Sequence, residues 1–321
     1  MIEETSRAPT KATGFAPSPA MQTAALKLFW ALCRLLPWRT ASALGAAILA
    51  WVGPRTSRNR KILQNFRVAF PEKSEAEARA LAVEAWRNFG RVLAEFATLG
   101  RILKRGRARA RFVFDIEPET QRLIDLGKPM IFAGAHISNW EYTALGFRLM
   151  GAPLSVVYSK LQEPHIDQAI REAREGMECG LIAKSDGIRP LIQALTSGDS
   201  IGFVIDRRIN SGAPVEFFGH PTFFSQAPAK LAMRFDSPVV PAFISRLPDG
   251  RIKLQAGPPI WAHDFEGSDA ERAAAVTRQV MAVVEAEIRR RPGDWLCSQR
   301  IWPHVAYDDH EGRAAIFALD A

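Results

Sequence analysis

From Phe112 onward the chain alternates short apolar runs with stretches of helical character, and this alternation leaves few folds open. The apolar runs read as buried strands, and the stretches between them are long enough to carry crossover helices. Strands are expected near Phe112–Ile116, Met130–Ala135, Leu154–Tyr158, Ile201–Ile205, Val239–Ser245 and Ile252–Ala256. Helices are expected near Glu119–Leu126, Trp140–Met150, Glu163–Cys179, Ile188–Thr196, Pro228–Phe235 and Ala270–Arg291. The fold class is therefore α/β, a single mostly parallel sheet flanked by helices, with its last two strands placed to turn as a hairpin at Pro248-Asp249-Gly250. With 321 residues, 47% of them hydrophobic, the chain can bury a sizeable core, and no internal repeat calls for a second one.

The first third has a different character. Up to Arg111 there are twenty Lys and Arg against seven Asp and Glu, a local excess of +13, whereas the remainder carries −5. Such an asymmetry points to a polyanion met by one segment, either a nucleic acid or an anionic membrane surface. Residues 1–20 read as a disordered tail with no cleavable signal, residues 21–111 as a helical, basic, membrane-associating region, 112–305 as the α/β core and 306–321 as a second tail. The uncharged run Thr40–Pro54 is 15 residues long, short of the roughly 20 needed to span a bilayer. Leu28, Phe29, Leu32, Leu35, Leu36 and Trp38, flanked by basic residues, instead fit a helix lying among lipid headgroups, the alternative being a hairpin packed on the protein's own core. Arg55, Arg58, Arg60, Lys61 and Arg67, and later Arg101–Arg111, read as docking to anionic lipid or as solvated helix faces. No recognition helix, zinc finger or aromatic-studded motif accompanies the charge, which argues against nucleic acid. Ser74 and Glu77 form a capping box at the head of a helix reaching Gly100.

In an open α/β sheet, ligands sit at the carboxyl ends of the strands. Three strand ends carry chemistry: one delivers His136, one Ser159 and Lys160, one Asp206, Arg207 and Arg208. His136 is followed five residues later by Glu141. Histidine is the side chain best matched to take a proton near neutral pH, and a carboxylate beside it fixes its tautomer. Five residues correspond to about 500° of helix rotation, so the pair forms only if His136 precedes the helix and the chain turns between them. Ser138 and Glu141 equally fit a capping box, in which the acid merely starts the helix. Lys160, Arg207 and Arg208 are natural holders of phosphate, or else members of a salt-bridged loop.

Other chemistries lack their fingerprints. There is no G-x-S-x-G elbow, H-E-x-x-H, P-loop or G-x-G-x-x-G. Cys33, Cys179 and Cys297 are isolated and read as reduced thiols, so neither a metal nor a cofactor is called for. A base without a protein nucleophile points to activation of a substrate hydroxyl. His165, His220, His263, His304 and His310 read as surface or structural residues, His220 being the one whose loop could approach the site.

The order His136–Glu141 (HISNWE), Asp206-Arg207-Arg208, Val215–Thr222 (VEFFGHPT), Val239-Val240-Pro241 and Arg291–Trp295 (RPGDW), preceded by Asn65–Pro71 (NFRVAFP) and Asn88-Phe89-Gly90, resembles the bacterial lipid A biosynthesis acyltransferase family over roughly residues 22–305. The resemblance implies transfer of an acyl chain from acyl carrier protein to a hydroxyl of a lipid A precursor, at the cytoplasmic face of the inner membrane, with no acyl-enzyme. It implies His136 as the base and Glu141 as its orienting acid. Asp206 and Arg207 fall on the family's second strand-end motif, and Phe218-Gly219 on its glycine-bearing loop, with roles in acceptor binding or transition-state support. The chain departs from the family's frequent glycine at Ser138, and from its common pattern at Ser159-Lys160 and after Trp295. Two other readings stand beside this one: the same chemistry on another glycolipid, such as a phosphatidylinositol mannoside, or on a phospholipid, with coenzyme A as donor, and a non-catalytic lipid-binding protein in which Glu141 only caps its helix.

Overall fold

The structure, a computed structural model, describes residues 19–98, 108–161, 163–175 and 179–308. The expected tails, apart from a few residues at their inner ends, and the basic stretch 101–107 lie outside the described residues. Four helices open the chain: α1 (Pro19–Leu35), α2 (Trp38–Val52), α3 (Arg58–Ala69) and α4 (Glu75–Phe96). The Ser74 box forms as expected, the Glu77 amide donating to Ser74 Oγ while the Ser74 amide donates to the Glu77 carboxylate. Along α4 the apolar positions Ala78, Ala82, Ala85, Trp86, Phe89, Val92 and Phe96 recur every three or four residues and cover one broad stripe.

The sheet has seven strands in the order β1-β9-β8-β2-β5-β3-β4. They are β1 (Phe112–Ile116), β2 (Ile131–Gly134), β3 (Leu154–Tyr158), β4 (Gly180–Ala183), β5 (Ser200–Val204), β8 (Val239–Arg246) and β9 (Ile252–Ala256). Five of them, from β8 to β4, run parallel, and the hairpin at Pro248–Gly250 turns β9 and its parallel neighbour β1 the other way. Helices α5 (Pro118–Asp125), α6 (Tyr142–Leu149), α7 (Pro164–Glu175), α8 (Arg189–Thr196), α9 (Ala227–Arg234) and α10 (Asp269–Arg290) connect and cover the strands, and a short α11 (Val305–Asp308) follows. The architecture is the expected mostly parallel sheet flanked by helices.

Strand alternation divides β2 between two cores. Ile131, Ala133 and Ala135 join Phe66 of α3, Trp86 of α4 and Val280 of α10 on one side, while Met130 and Phe132 join Trp30 of α1, Phe96 of α4 and Phe147 of α6 on the other. The N-terminal helices thus contribute to both cores. Three local expectations change. The helix expected over Glu163–Cys179 is described only to Glu175, and β4, unforeseen, begins at Gly180 as an edge strand. The FFGHPT stretch is a hairpin between β6 (Ala213–Phe217) and β7 (His220–Phe224) rather than a loop. Helix α6 starts at Tyr142, and Glu141 at its N-cap makes no capping bond.

Helices α2 and α4 cross where Gly45 faces Gly90, and a Cβ on either would overlap the other's carbonyl oxygen. Overpacking at such a crossing costs about 1–3 kcal/mol, so Gly90→Ala is expected to lower unfolding stability by that amount. An unchanged midpoint in chemical denaturation would contradict the close crossing.

Candidate active site

Sheet register brings the two central groups together. Parallel pairing matches Gly134 of β2 with Val204 of β5, so two residues further on His136 and Asp206 leave the sheet side by side. His136 Nδ1 lies 2.6 Å from Asp206 Oδ1, and the His136 amide donates to Asp206 Oδ2 at 3.0 Å. Trp295 Nε1 donates to that same oxygen at 3.0 Å. An ionised carboxylate only accepts, so Nδ1 carries the proton, and in the neutral form of the ring Nε2 is the nitrogen with the free lone pair. Burial alone would raise the Asp206 carboxyl, but the imidazole charge and these hydrogen bonds outweigh it and hold it below the ordinary carboxylate range.

The expected partner of the histidine is therefore replaced. Glu141 is bound by Arg174 of α7, Nε at 3.0 Å from Oε2 and Nη2 at 2.7 Å from Oε1, and Trp140 Nε1 donates to Oε1 at 3.0 Å. A bidentate guanidinium uses both carboxylate oxygens, which turns the acid away from capping and toward α7. Arg174 in turn stacks over Phe96 and Tyr158. Nothing in the sequence marked Arg174 beyond a charge beside the apolar positions Ile166, Ala169 and Ile170.

The turn between His136 and Glu141 is held by buried polar groups. Ser138 is fully buried with φ +52°, a left-handed conformation rare for serine. Its amide donates to the Asp294 carbonyl and its own carbonyl accepts from Asn88 Nδ2, while the Leu296 amide donates to the His136 carbonyl. Arg246 reaches Asn88 Oδ1 at 2.6 Å and Ser138 Oγ at 3.1 Å, and pairs with Glu95 at 2.8 Å. Glu95 also accepts from Ser42 and Asn139.

A cavity of about 880 Å³ runs from His136 between the sheet and helices α1, α4 and α7, within the usual range for small-ligand sites. Trp30, Phe96, Phe132, Leu154, Val156 and Ile170 give it an apolar interior. Its open side carries Arg58, Lys61, Lys160, Lys184, Arg207 and Arg300, beside Glu163. Lys160 reaches Asp186 at 3.4 Å. Burial and the neighbouring Arg207 lower the Lys184 ammonium from its ordinary value. Arg58 and Lys61, read from sequence as lipid-docking or solvated residues, stand at this mouth, and Lys184 and Arg300 were not foreseen. Their only signal was charge.

Arg208 is not among the side chains lining the cavity, nor are Phe218 and Gly219. The last two form the two-residue turn of the β6–β7 hairpin, with φ +55° and +75°, as a type I′ turn requires. The Phe218 ring stacks on Trp295 at 5.9 Å, and its amide donates to Glu285 at 2.6 Å, which holds the unusual backbone. Phe218 therefore supports the tryptophan that supports Asp206.

The sequence profile described as bacterial lipid A biosynthesis acyltransferase matches residues 16–303. A phosphatidylinositol mannoside acyltransferase of Mycolicibacterium smegmatis is 25% identical over 195 residues, 59% of this chain and 62% of that protein. Its namesake in Mycobacterium tuberculosis is 25% identical over 182 residues, 55% of each chain. The chain thus spans less than two thirds of the length of these curated relatives. The crystal structure of a 1-acyl-sn-glycerophosphate acyltransferase from Thermotoga maritima aligns with a TM-score of 0.36 at 16% identity, over 85% of this chain and 99% of the other.

Because the Asp206 carboxyl is depressed in the folded protein, the stability it contributes is complete above the unfolded aspartate value of about 3.9 and is lost as pH falls through the lower folded value. Asp206→Asn should remove this part of the acid dependence. Urea midpoints measured from pH 7 down to pH 3 check it, and identical acid limbs in both proteins would contradict the assignment.

Proposed function

The chain belongs to the bacterial lipid A biosynthesis acyltransferase family, and from that premise we propose that it moves a fatty acyl chain from a thioester to a hydroxyl of a membrane glycolipid. The observation that carries this reading is the His136–Asp206 pair set at the mouth of a deep apolar cavity. In the proposed reaction the acyl tail lies in the cavity with its thioester carbonyl beside His136. Nε2 takes the proton of the acceptor hydroxyl, the oxygen attacks the carbonyl, the C–S bond breaks, and the proton passes from Nε2 to the departing sulfur. Asp206 holds the tautomer and balances the imidazolium. Cys179 also lines the cavity, but burial pushes its thiol up to about 11, which leaves it neutral and a poor nucleophile. Glu141 serves by anchoring α7 over the cavity through Arg174 rather than by touching the histidine.

For the donor we propose acyl carrier protein, an acidic partner suited to the cationic mouth, with coenzyme A offering phosphates to the same residues. For the acceptor, a lipid A precursor is the family's substrate, and a phosphatidylinositol mannoside is favoured by the names of the mycobacterial relatives. We place the enzyme on the cytoplasmic face of the inner membrane. No helix among the described residues is long and apolar enough to cross a membrane. Helix α1 exposes Leu28, Leu32 and Leu35, and α2 exposes Ile48 and Trp51, near Arg39 and Arg55. That is the composition of a surface that lies on anionic lipid.

Loss of a general base typically costs about 10²–10⁴-fold in rate. A deletion strain carrying His136→Ala should therefore lack the acylated glycolipid that the wild-type gene restores, as read by lipid mass spectrometry, which also identifies the acceptor and the chain. Equal acylation by both genes would sink the mechanism.

Membrane docking has its own check. Flotation with vesicles rich in phosphatidylglycerol should capture the wild-type protein, and should capture Leu28→Glu/Leu35→Glu at least about tenfold less at unchanged melting temperature, since two apolar side chains are lost from the interface. Equal flotation would remove α1 from the docking surface.

A further inference from the structure

We infer that Leu154 and Cys179 are a thin terminal wall of the main cavity, and that this wall, with Gly202 beside it, sets the longest acyl chain the protein takes. The inference rests on the acyl-transfer reading above. It starts from a second cavity of about 400 Å³ at the opposite edge of the sheet, bordered by Arg148, Gly151, Pro153, Gly180 and Asp199. Leu154 and Cys179 border both cavities and so stand between them.

The wall stands at the far end from the histidine. Leu154 pairs with Ser200 in the β3–β5 register, and Ile201 pairs with Ile131, which places Leu154 level with Met130. That is six residues behind His136 along the strand direction, or about 20 Å at the rise of a strand. A long fatty acyl chain with its carbonyl at His136 would run along this length toward Leu154. Elsewhere the interior is backed by firm packing: Phe132 stacks on Phe147 at 3.7 Å, and Trp30 is stacked on Phe96 and fixed by its bond to the Leu93 carbonyl.

Beyond the wall the surroundings are polar. Asp199 accepts from Ser155 Oγ at 3.0 Å, and Arg148 borders the same space. A methylene pushed past Leu154 would exchange apolar walls for charged ones and gain nothing from burial, so the limit should be sharp. The Cys179 thiol, held neutral by burial, acts there as a small apolar group. Gly202 lines the same cavity, and a Cβ on it would meet Leu154 Cδ1 and Cδ2 at 3.5 Å, an ordinary contact. One methyl group therefore fits at Gly202 and shortens the available space.

The test is binding of saturated acyl-coenzyme A thioesters, from decanoyl to eicosanoyl, to the full-length protein by titration calorimetry. For the wild type, affinity should rise about fourfold per added carbon and then stop rising at a definite length. Leu154→Ala should move that stopping point up by about two carbons and Gly202→Ala down by about one, each keeping the same slope below it. Leu154→Val, a gentler truncation, is carried in parallel and should move it upward by less. Stopping points that coincide in all four proteins, or a uniform loss at every length in the variants, would overturn the wall. A wild-type protein whose affinity ignores chain length would instead overturn the acyl-cavity reading on which the wall depends.

Discussion

The buried pair between Arg246 and Glu95 is the interaction on which the site depends. Glu95 belongs to α4, Arg246 ends β8, and both contact the turn that follows His136. Two charges taken out of water are costly unless every donor and acceptor finds a partner. Here Arg246 is spread over Glu95, Asn88 and Ser138, and Glu95 over Arg246, Ser42 and Asn139. Burial would lower the Arg246 guanidinium, and Glu95 more than offsets it, so Arg246 stays charged. The network fixes Ser138 in its left-handed conformation, and with it the direction in which His136 leaves β2. The N-terminal helices are thus part of the active-site scaffold as well as a surface.

The two acids near the histidine exchange the roles that sequence distance suggests. Glu141 is five residues away and faces Arg174, whereas Asp206 is seventy residues away and touches the ring. The strand ends carrying His136 and Asp206 were legible, because short apolar runs ending in charge are plain in the sequence. Their pairing was not, since it follows from β2 and β5 lying side by side in register, a property of topology. The same limit explains the capping boxes. Ser74–Glu77 forms as its pattern says, while Ser138–Glu141, with the same spacing, does not, because Arg174 takes the carboxylate and buried hydrogen bonds take the serine.

Several motif residues act at one remove from the chemistry. Phe218 and Gly219 turn the β6–β7 hairpin, and the Phe218 ring lies against Trp295. Trp295 donates to Asp206, and the residues on either side of it, Asp294 and Leu296, hydrogen-bond the backbone of Ser138 and His136. A late segment of the chain therefore closes over the end of β2 and β5. That role is invisible in a local pattern, because the partners at the ends of β2 and β5 lie 158 and 89 residues earlier in the chain and meet only once the sheet is built.

Helix α1 joins the cavity to the outer surface. Leu26, Trp30 and Cys33 recur at helical spacing and face inward, the first two lining the cavity and Cys33 fully buried. Leu28, Leu32 and Leu35 repeat the same spacing two residues on, about 200° around the helix, and are exposed. A helix apolar on opposite faces has no reason to remain bare in water on one of them. If the outer face rests on lipid as proposed, a single helix thickness separates the bilayer from the apolar cavity. The hydrogen bond from Trp30 Nε1 to the Leu93 carbonyl fixes α1 in that position between the two.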